Sequence, residues 1–206
     1  PLQTEESLIN TLEFALSTDA CHISTYMLKI EENTPFYYNK EGYVFPDEDN
    51  QANFYEITSK ILCNKGFRHY EISNFCKDDK ISRHNMKYWE LNDYLGIGPS
   101  AHSLIGNKRF FYSDSFSSFE NNITTFESVG KTAEEYLMLS LRTDIGFRFA
   151  KYKKLFGTSA SADLIAEAKV LEKLGFVTVT DESIKLTERG YLLSNAVIGK
   201  LLNKGI

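Results

Sequence analysis

Only three cysteines occur in the 206 residues, at Cys21, Cys63 and Cys76. Their number is odd and their spacing irregular, so they supply neither a disulfide framework nor metal-ligand spacing. Each reads as a reduced thiol, a small buried apolar residue, in a cytoplasmic protein. No apolar run approaches the roughly 20 residues that span a bilayer. The first residues, PLQTEES, are polar and do not read as a signal peptide. Positive charge is not in excess: the formal net charge of −5 argues against a general nucleic-acid binder. No Ser/His/Asp set, phosphate loop or metal cluster assembles with useful spacing.

What is present is ordinary globular composition, 42% hydrophobic and 25% charged, enough for one large or two small domains. Aromatic residues make up 14%, and they either fill a core or line a flat-ligand pocket; core packing accounts for most. The charge is uneven. Residues 130–206 carry 12 Lys and Arg against 9 Asp and Glu, whereas residues 1–129 carry 11 against 19. That asymmetry points to two units with different roles.

Along the chain, Thr4 caps a helix holding Leu8, Ile9, Leu12 and Leu16 at helical spacing. A strand-like run follows at 22–30. Asp47 or Asp49 caps a second helix with Phe54, Ile57, Ile61 and Leu62 on one face, and Gly66 fits its C′ position. A second strand follows at 70–73. Helix, strand, helix, strand with short connections is the pattern of βα units in a parallel sheet. The units are too few to close a barrel, which implies that the sheet's first strands lie upstream. A third strand-like run, 94–103, is interrupted by glycines. Residues 104–131 read as a hairpin and a short Phe-rich helix, with a boundary near Gly130. Beyond it, Thr132 and Glu135 form a capping box, and basic and amphipathic helices cover about 149–156 and 161–174. A hairpin over 176–186 and a last helix from Thr187 to Leu202 complete a winged-helix-like module.

Three constellations carry chemistry. The string 82–89 holds His84, Asn85, Tyr88 and the single Trp, Trp89, beside Arg83 and Lys87. A His among aromatics can ligate a haem iron, with Arg83 or Lys87 pairing to propionates. From the residues alone a structural turn is the better reading of the string, because a lone His is weak evidence for a ligand. Second, 96–103 places small residues where a backbone approaches a ligand closely, or simply turns tightly. It is not a dinucleotide fingerprint, since Pro99 intervenes and the glycine spacing is wrong. Third, Glu31 and Glu32 sit at the end of the first strand, where barrel enzymes place ligand contacts and where solvated carboxylates are also common.

Three strings, HISTYMLKIEENTPFYY, YEISNFCKDDKISRHNMKYW and DYLGIGPSAHS, together resemble the later half of the HemN/HemW family. These are the oxygen-independent coproporphyrinogen III oxidase-like radical-SAM proteins. The opening PLQTEES and the C-terminal pattern extend the resemblance over essentially the whole chain, the C-terminal part mainly by pattern. The text lies closer to the HemW branch, the haem chaperones, whose HNxxYW motif falls on His84, Asn85, Tyr88 and Trp89.

The resemblance implies the C-terminal part of a partial (β/α) radical-SAM barrel over 1–130, then a small winged-helix-like α+β domain over 131–206. It implies haem or porphyrin binding, with His84 the candidate ligand, and haem-accepting proteins as partners. It implies a [4Fe–4S] cluster and S-adenosylmethionine in the full-length protein. The cluster's CxxxCxxC motif is absent here, so no metal ligand is expected in this chain and the chemistry cannot start within it. Met27 and His102 are the positions that align with S-adenosylmethionine contacts. The family's enzymatic alternative is oxidative decarboxylation of coproporphyrinogen III. A nucleic-acid-reading role for the C-terminal module fits poorly, because its 161–174 helix mixes Asp163, Glu167 and Glu172 with Lys169 and Lys173.

Overall fold

Thr4 starts the first element by accepting the Ser7 N–H, and Ser7 returns the bond to the Thr4 N–H. This capping box opens α1, Glu5–Leu16, which buries Leu12. The computed structural model describes residues 1–206 and divides into two compact units, Pro1–Ile81 and Ser82–Ile206.

In the first unit, β1 (His22–Ser24) leads into α2 (Pro35–Tyr38) and a 3₁₀ turn at Lys40–Gly42. Helix α3, Glu48–Asn64, is capped by Asp47, which accepts the Asn50 N–H. It ends at Asn64 with Lys65 as its C-cap, and Gly66 follows with a φ of +84° that suits the left-handed position after a helix. Strands β2 (Arg68–Glu71) and β3 (Asn74–Cys76) follow. Leu12, Leu62, Phe67 and Phe75 form the core, with Leu8, Leu16, Ile23 and Ile61 packed around it.

The sheet order is β1-β3-β2, and both pairings are antiparallel. The expected parallel pairing of the first two strands is therefore not what forms. The two-residue turn at Ile72 and Ser73 sends β3 straight back between them. Strands β1 and β2 still run in the same direction, split by β3, so α3 remains a crossover helix.

The second unit opens with α4, Arg83–Trp89. The expected strand at 94–103 is instead a loop held by one bridge, Tyr94 to Leu104, and β4 begins only at His102. Gly96, Gly98 and Pro99 interrupt any ladder there. Strands β4 (His102–Ile105), β5 (Lys108–Tyr112) and β6 (Thr124–Val129) form an antiparallel meander, with α5 (Phe116–Glu120) between the last two. The hairpin and Phe-rich helix read from the sequence are both there.

Helix α6, Ala133–Ser140, precedes β7 (Phe147–Arg148), α7 (Phe149–Phe156) and α8 (Ala162–Lys173). Strands β8 (Val177–Val179) and β9 (Ser183–Leu186) then join β7 in the order β7-β9-β8. The helix expected over 187–202 is two helices, α9 (Glu188–Leu192) and α10 (Ser194–Leu202), because Leu193 leaves helical geometry at φ −106° and ψ 25°. Tyr136, Phe147 and Tyr152 are fully buried and pack against one another, so most of this module's aromatic content is core. Burial raises the Tyr136 and Tyr152 hydroxyls above the ordinary tyrosine pKa.

The boundary expected near Gly130 lies inside the second unit. Polar contacts explain the continuity. Arg109 on β5 donates to Glu135 on α6 at 2.8 Å, and α4 also packs on α6. Glu135 was expected to return a capping-box bond to Thr132. Thr132 does accept the Glu135 N–H, but the carboxylate takes Arg109 and the Lys131 N–H instead.

Candidate functional site

Helix α4 is short, and Ser82 starts it by accepting the Asn85 N–H. Residues four apart share a helix face, so HNxxYW divides into two pairs. His84 and Tyr88 form the solvent-facing pair. The Tyr88 hydroxyl lies 3.1 Å from His84 Nε2, and the rings meet edge to face at 5.1 Å. Asn85 and Trp89 form the half-buried pair, beside buried Met86. The Trp89 Nε1–H is buried with no hydrogen-bond partner.

The helix ends on a left-handed residue. Leu91 has φ +57° and is buried. The Leu91 N–H bonds the Tyr88 carbonyl and the Asn92 N–H bonds the Lys87 carbonyl, a Schellman closure that usually employs glycine. A leucine there costs about 1–2 kcal/mol of backbone strain, which its burial offsets.

A side-chain chain runs from this face into the unit. The Tyr88 ring packs on Tyr94 at 4.5 Å. The Tyr94 hydroxyl accepts Arg109 Nη1 at 2.9 Å, and Arg109 Nη2 reaches Glu135. Burial raises the Tyr94 pKa. Burial pulls Arg109 down, but the Glu135 bond and charge outweigh it and its pKa rises. Lys131 pairs with Asp93, which also accepts the Gly106 N–H. The Lys131 bond, aided by that N–H, holds the Asp93 carboxyl below its usual range.

His102 sits at the start of β4, exposed, with Nδ1 3.0 Å from Glu127 Oε2 and its ring stacked on Phe111 at 5.1 Å. Gly96 lies against it: a Cβ there would meet the His102 carbonyl oxygen at 2.3 Å, so only glycine fits. Met27 belongs to the other unit. It is 51% exposed and lines a cavity of about 410 Å³ with Gln3, Tyr26, Phe54 and Tyr55. Glu31 is exposed and pairs only with Lys29, at 2.7 Å, which favours a solvated loop carboxylate. Cys21, Cys63 and Cys76 form no disulfide, and no group of three or more His, Cys, Asp or Glu side chains could hold a metal ion.

Sequence reasoning gave Tyr94, Arg109 and Glu135 no shared role, because they are far apart in the chain and no local motif joins them. It also missed Glu71, a fully buried carboxylate held by Asn74 and the Ser73 N–H, with Asn74 held in turn by Ser24. The tight β2–β3 turn was the available signal.

The HemN C-terminal domain family matches residues 131–193. The fold is similar to that of a solved coproporphyrinogen III oxidase (HemN) from Escherichia coli, a radical SAM enzyme. That similarity has a TM-score of 0.73 at 17% identity, over 98% of this chain and 52% of the other.

Over nearly its whole length the chain is similar to proteins named heme chaperone HemW. It is 31% identical to HemW of Bacillus subtilis, over 99% of this chain and 57% of that protein. It is 29% identical to HemW of Mycobacterium tuberculosis (98% and 53%). It is also 27% identical to the mitochondrial radical S-adenosyl methionine domain-containing protein 1 of Mus musculus (98% and 51%). The chain thus spans about half the length of the curated relatives it matches.

Proposed function

We propose that α4 is a haem-handling helix, and that this chain serves a HemW-like protein which binds haem and passes it to an acceptor protein. The observation that carries this reading is the solvent-facing His84, backed by the Tyr88 and Tyr94 rings and flanked by exposed Arg83 and Lys87. An imidazole can ligate the iron, the rings offer apolar walls, and the cations suit propionates. Asn85 and Trp89 shape the inner side of the same helix.

The [4Fe–4S] cluster and S-adenosylmethionine would be held largely by segments outside these residues. The cysteines here do not fit a cluster, since they form no metal-binding group. Met27 suits the wall of a pocket for S-adenosylmethionine, because a cavity of about 410 Å³ is within the range for small ligands. His102, on β4 of the second unit, is the other residue whose position aligns with S-adenosylmethionine contacts in the family. The first unit then contributes to a partial barrel of the HemN type. The order of helices and hairpin after Gly130 supports a winged-helix-like module. Its acidic α8 residues favour a structural or covering role over nucleic-acid reading. A cytoplasmic setting suits cysteines that form no disulfide.

The test is haemin titration of the full-length protein, followed by the Soret band. Wild type should give a shifted band with the signature of a histidine ligand, and His84→Ala should lose it. Identical spectra from the two would exclude His84 as the ligand. Anaerobic turnover of coproporphyrinogen III by the reconstituted protein would instead support the oxidase reading.

A further inference from the structure

We infer that Tyr88 is the release partner of His84: its phenol and the haem iron compete for one imidazole nitrogen, Nε2. This rests on α4 being the haem-handling helix.

The geometry carries the inference. Tyr88 lies one helical turn beyond His84, with its hydroxyl 3.1 Å from Nε2. That bond is the hydrogen bond His84 makes; Nδ1 has no protein partner. The two nitrogens differ towards a wide planar ligand. Nδ1 neighbours the ring carbon that bears Cβ, so a macrocycle centred on it would press on Cβ and the helix. Nε2 is the far tip of the ring and has no such neighbour. The nitrogen best suited to iron is therefore the one that Tyr88 occupies.

The chemistry of the exchange balances without a proton. With the Tyr88 O–H donating, the His84 proton stays on Nδ1 and the lone pair on Nε2 points at the hydroxyl. That is the tautomer that ligates a metal through Nε2. Binding opens one hydrogen bond and forms one Fe–N bond, and the phenol turns to water. Release reverses both changes. Tyr88 is 37% exposed, so water is at hand to satisfy its hydroxyl.

Tyr88 is also the steadier partner. Its ring packs on Tyr94, which Arg109 and Glu135 hold in place. His84 is exposed and has no anchor besides Tyr88. The imidazole is the part that swings and the phenol is the fixed post. A cargo protein must let its ligand leave, and a waiting partner for the vacated nitrogen favours departure.

The experiment titrates haemin into the full-length wild type, Tyr88→Phe and His84→Ala, then times haem loss to an excess of apo-globin. Phe keeps the ring against Tyr94 and removes only the hydroxyl. Tyr88→Phe is expected to retain the wild-type axial-ligand spectrum, bind about five-fold more tightly and release correspondingly more slowly, which is the worth of one ordinary hydrogen bond. Unchanged or weaker binding by Tyr88→Phe, with His84→Ala losing the ligand band, would overturn the release role and leave the haem reading standing. An unchanged band in His84→Ala would overturn both. Far-UV circular dichroism on each variant verifies that the fold is kept.

Discussion

Removing the Glu135 carboxylate is expected to destabilise the second unit by about 3 kcal/mol. Glu135 Oε1 accepts Arg109 Nη2 at 2.8 Å and Oε2 accepts the Lys131 N–H at 2.6 Å. Each hydrogen bond to a charged group is worth about 1.5–3 kcal/mol. Both side chains of the ion pair are 20% exposed, so solvent screening keeps the pair towards the lower figure. Glu135→Ala also strands Arg109 with Tyr94 as its remaining polar partner. Arg109→Met keeps the aliphatic stem and removes the charge, so it is expected to cost less, about 1–2 kcal/mol. Thermal unfolding read by circular dichroism gives the comparison, with roughly a 10 °C drop for Glu135→Ala. A double-mutant cycle isolates the pair. If Glu135→Ala melts within about 1 °C of wild type, the ion pair does not bind the meander to α6 and the account of the unit's continuity fails.

Two further outcomes follow from the first unit. Leu62 is fully buried at the centre of its core, so Leu62→Ala is expected to lose about 3 kcal/mol in urea unfolding, and a loss below about 1 kcal/mol would mean the core can collapse around the gap. His22 lies 2.8 Å from the Tyr70 hydroxyl, and burial lowers its pKa. The unfolded chain therefore takes up the proton first as pH falls below about 6.5, so His22 costs stability progressively from there down to its folded pKa. His22→Gln is expected to flatten the melting temperature between about pH 7.5 and 5.5 relative to wild type, and parallel curves would refute the burial argument.

Local signals were legible wherever one residue acts on its neighbours. Thr4 caps the helix the sequence assigned to it, Asp47 and not Asp49 caps the second helix, and Gly66 adopts positive φ just past it. Strand pairing was not legible. A parallel and an antiparallel ladder share the same alternation, and only the Ile72–Ser73 turn decides that β3 separates β1 from β2. The candidate site was half legible. HNxxYW identifies α4 because its residues are contiguous. Tyr94 from a loop, Arg109 from β5 and Glu135 from α6 support it, and no local pattern records their meeting.

Helix geometry also changes what the motif means. Read as a string, His84, Asn85, Tyr88 and Trp89 look equivalent, but the helix turns one pair outward and the other inward. Folding accounts for the inner pair only in part. The Trp89 N–H is buried without a partner, which costs about 1–3 kcal/mol, and a phenylalanine would fill much of the same space without that cost. Leu91, two residues on, holds a left-handed conformation that glycine would adopt freely. Departures from local rules concentrate where structure serves something besides stability. Here two of them fall at the C-terminal end of the helix that carries His84 and Tyr88. The helix itself packs on α6. Weakening α6 through Glu135 is therefore expected to loosen the His84–Tyr88 pair before the unit unfolds, so the stability of the second unit and the exchange at Nε2 rest on the same anchor.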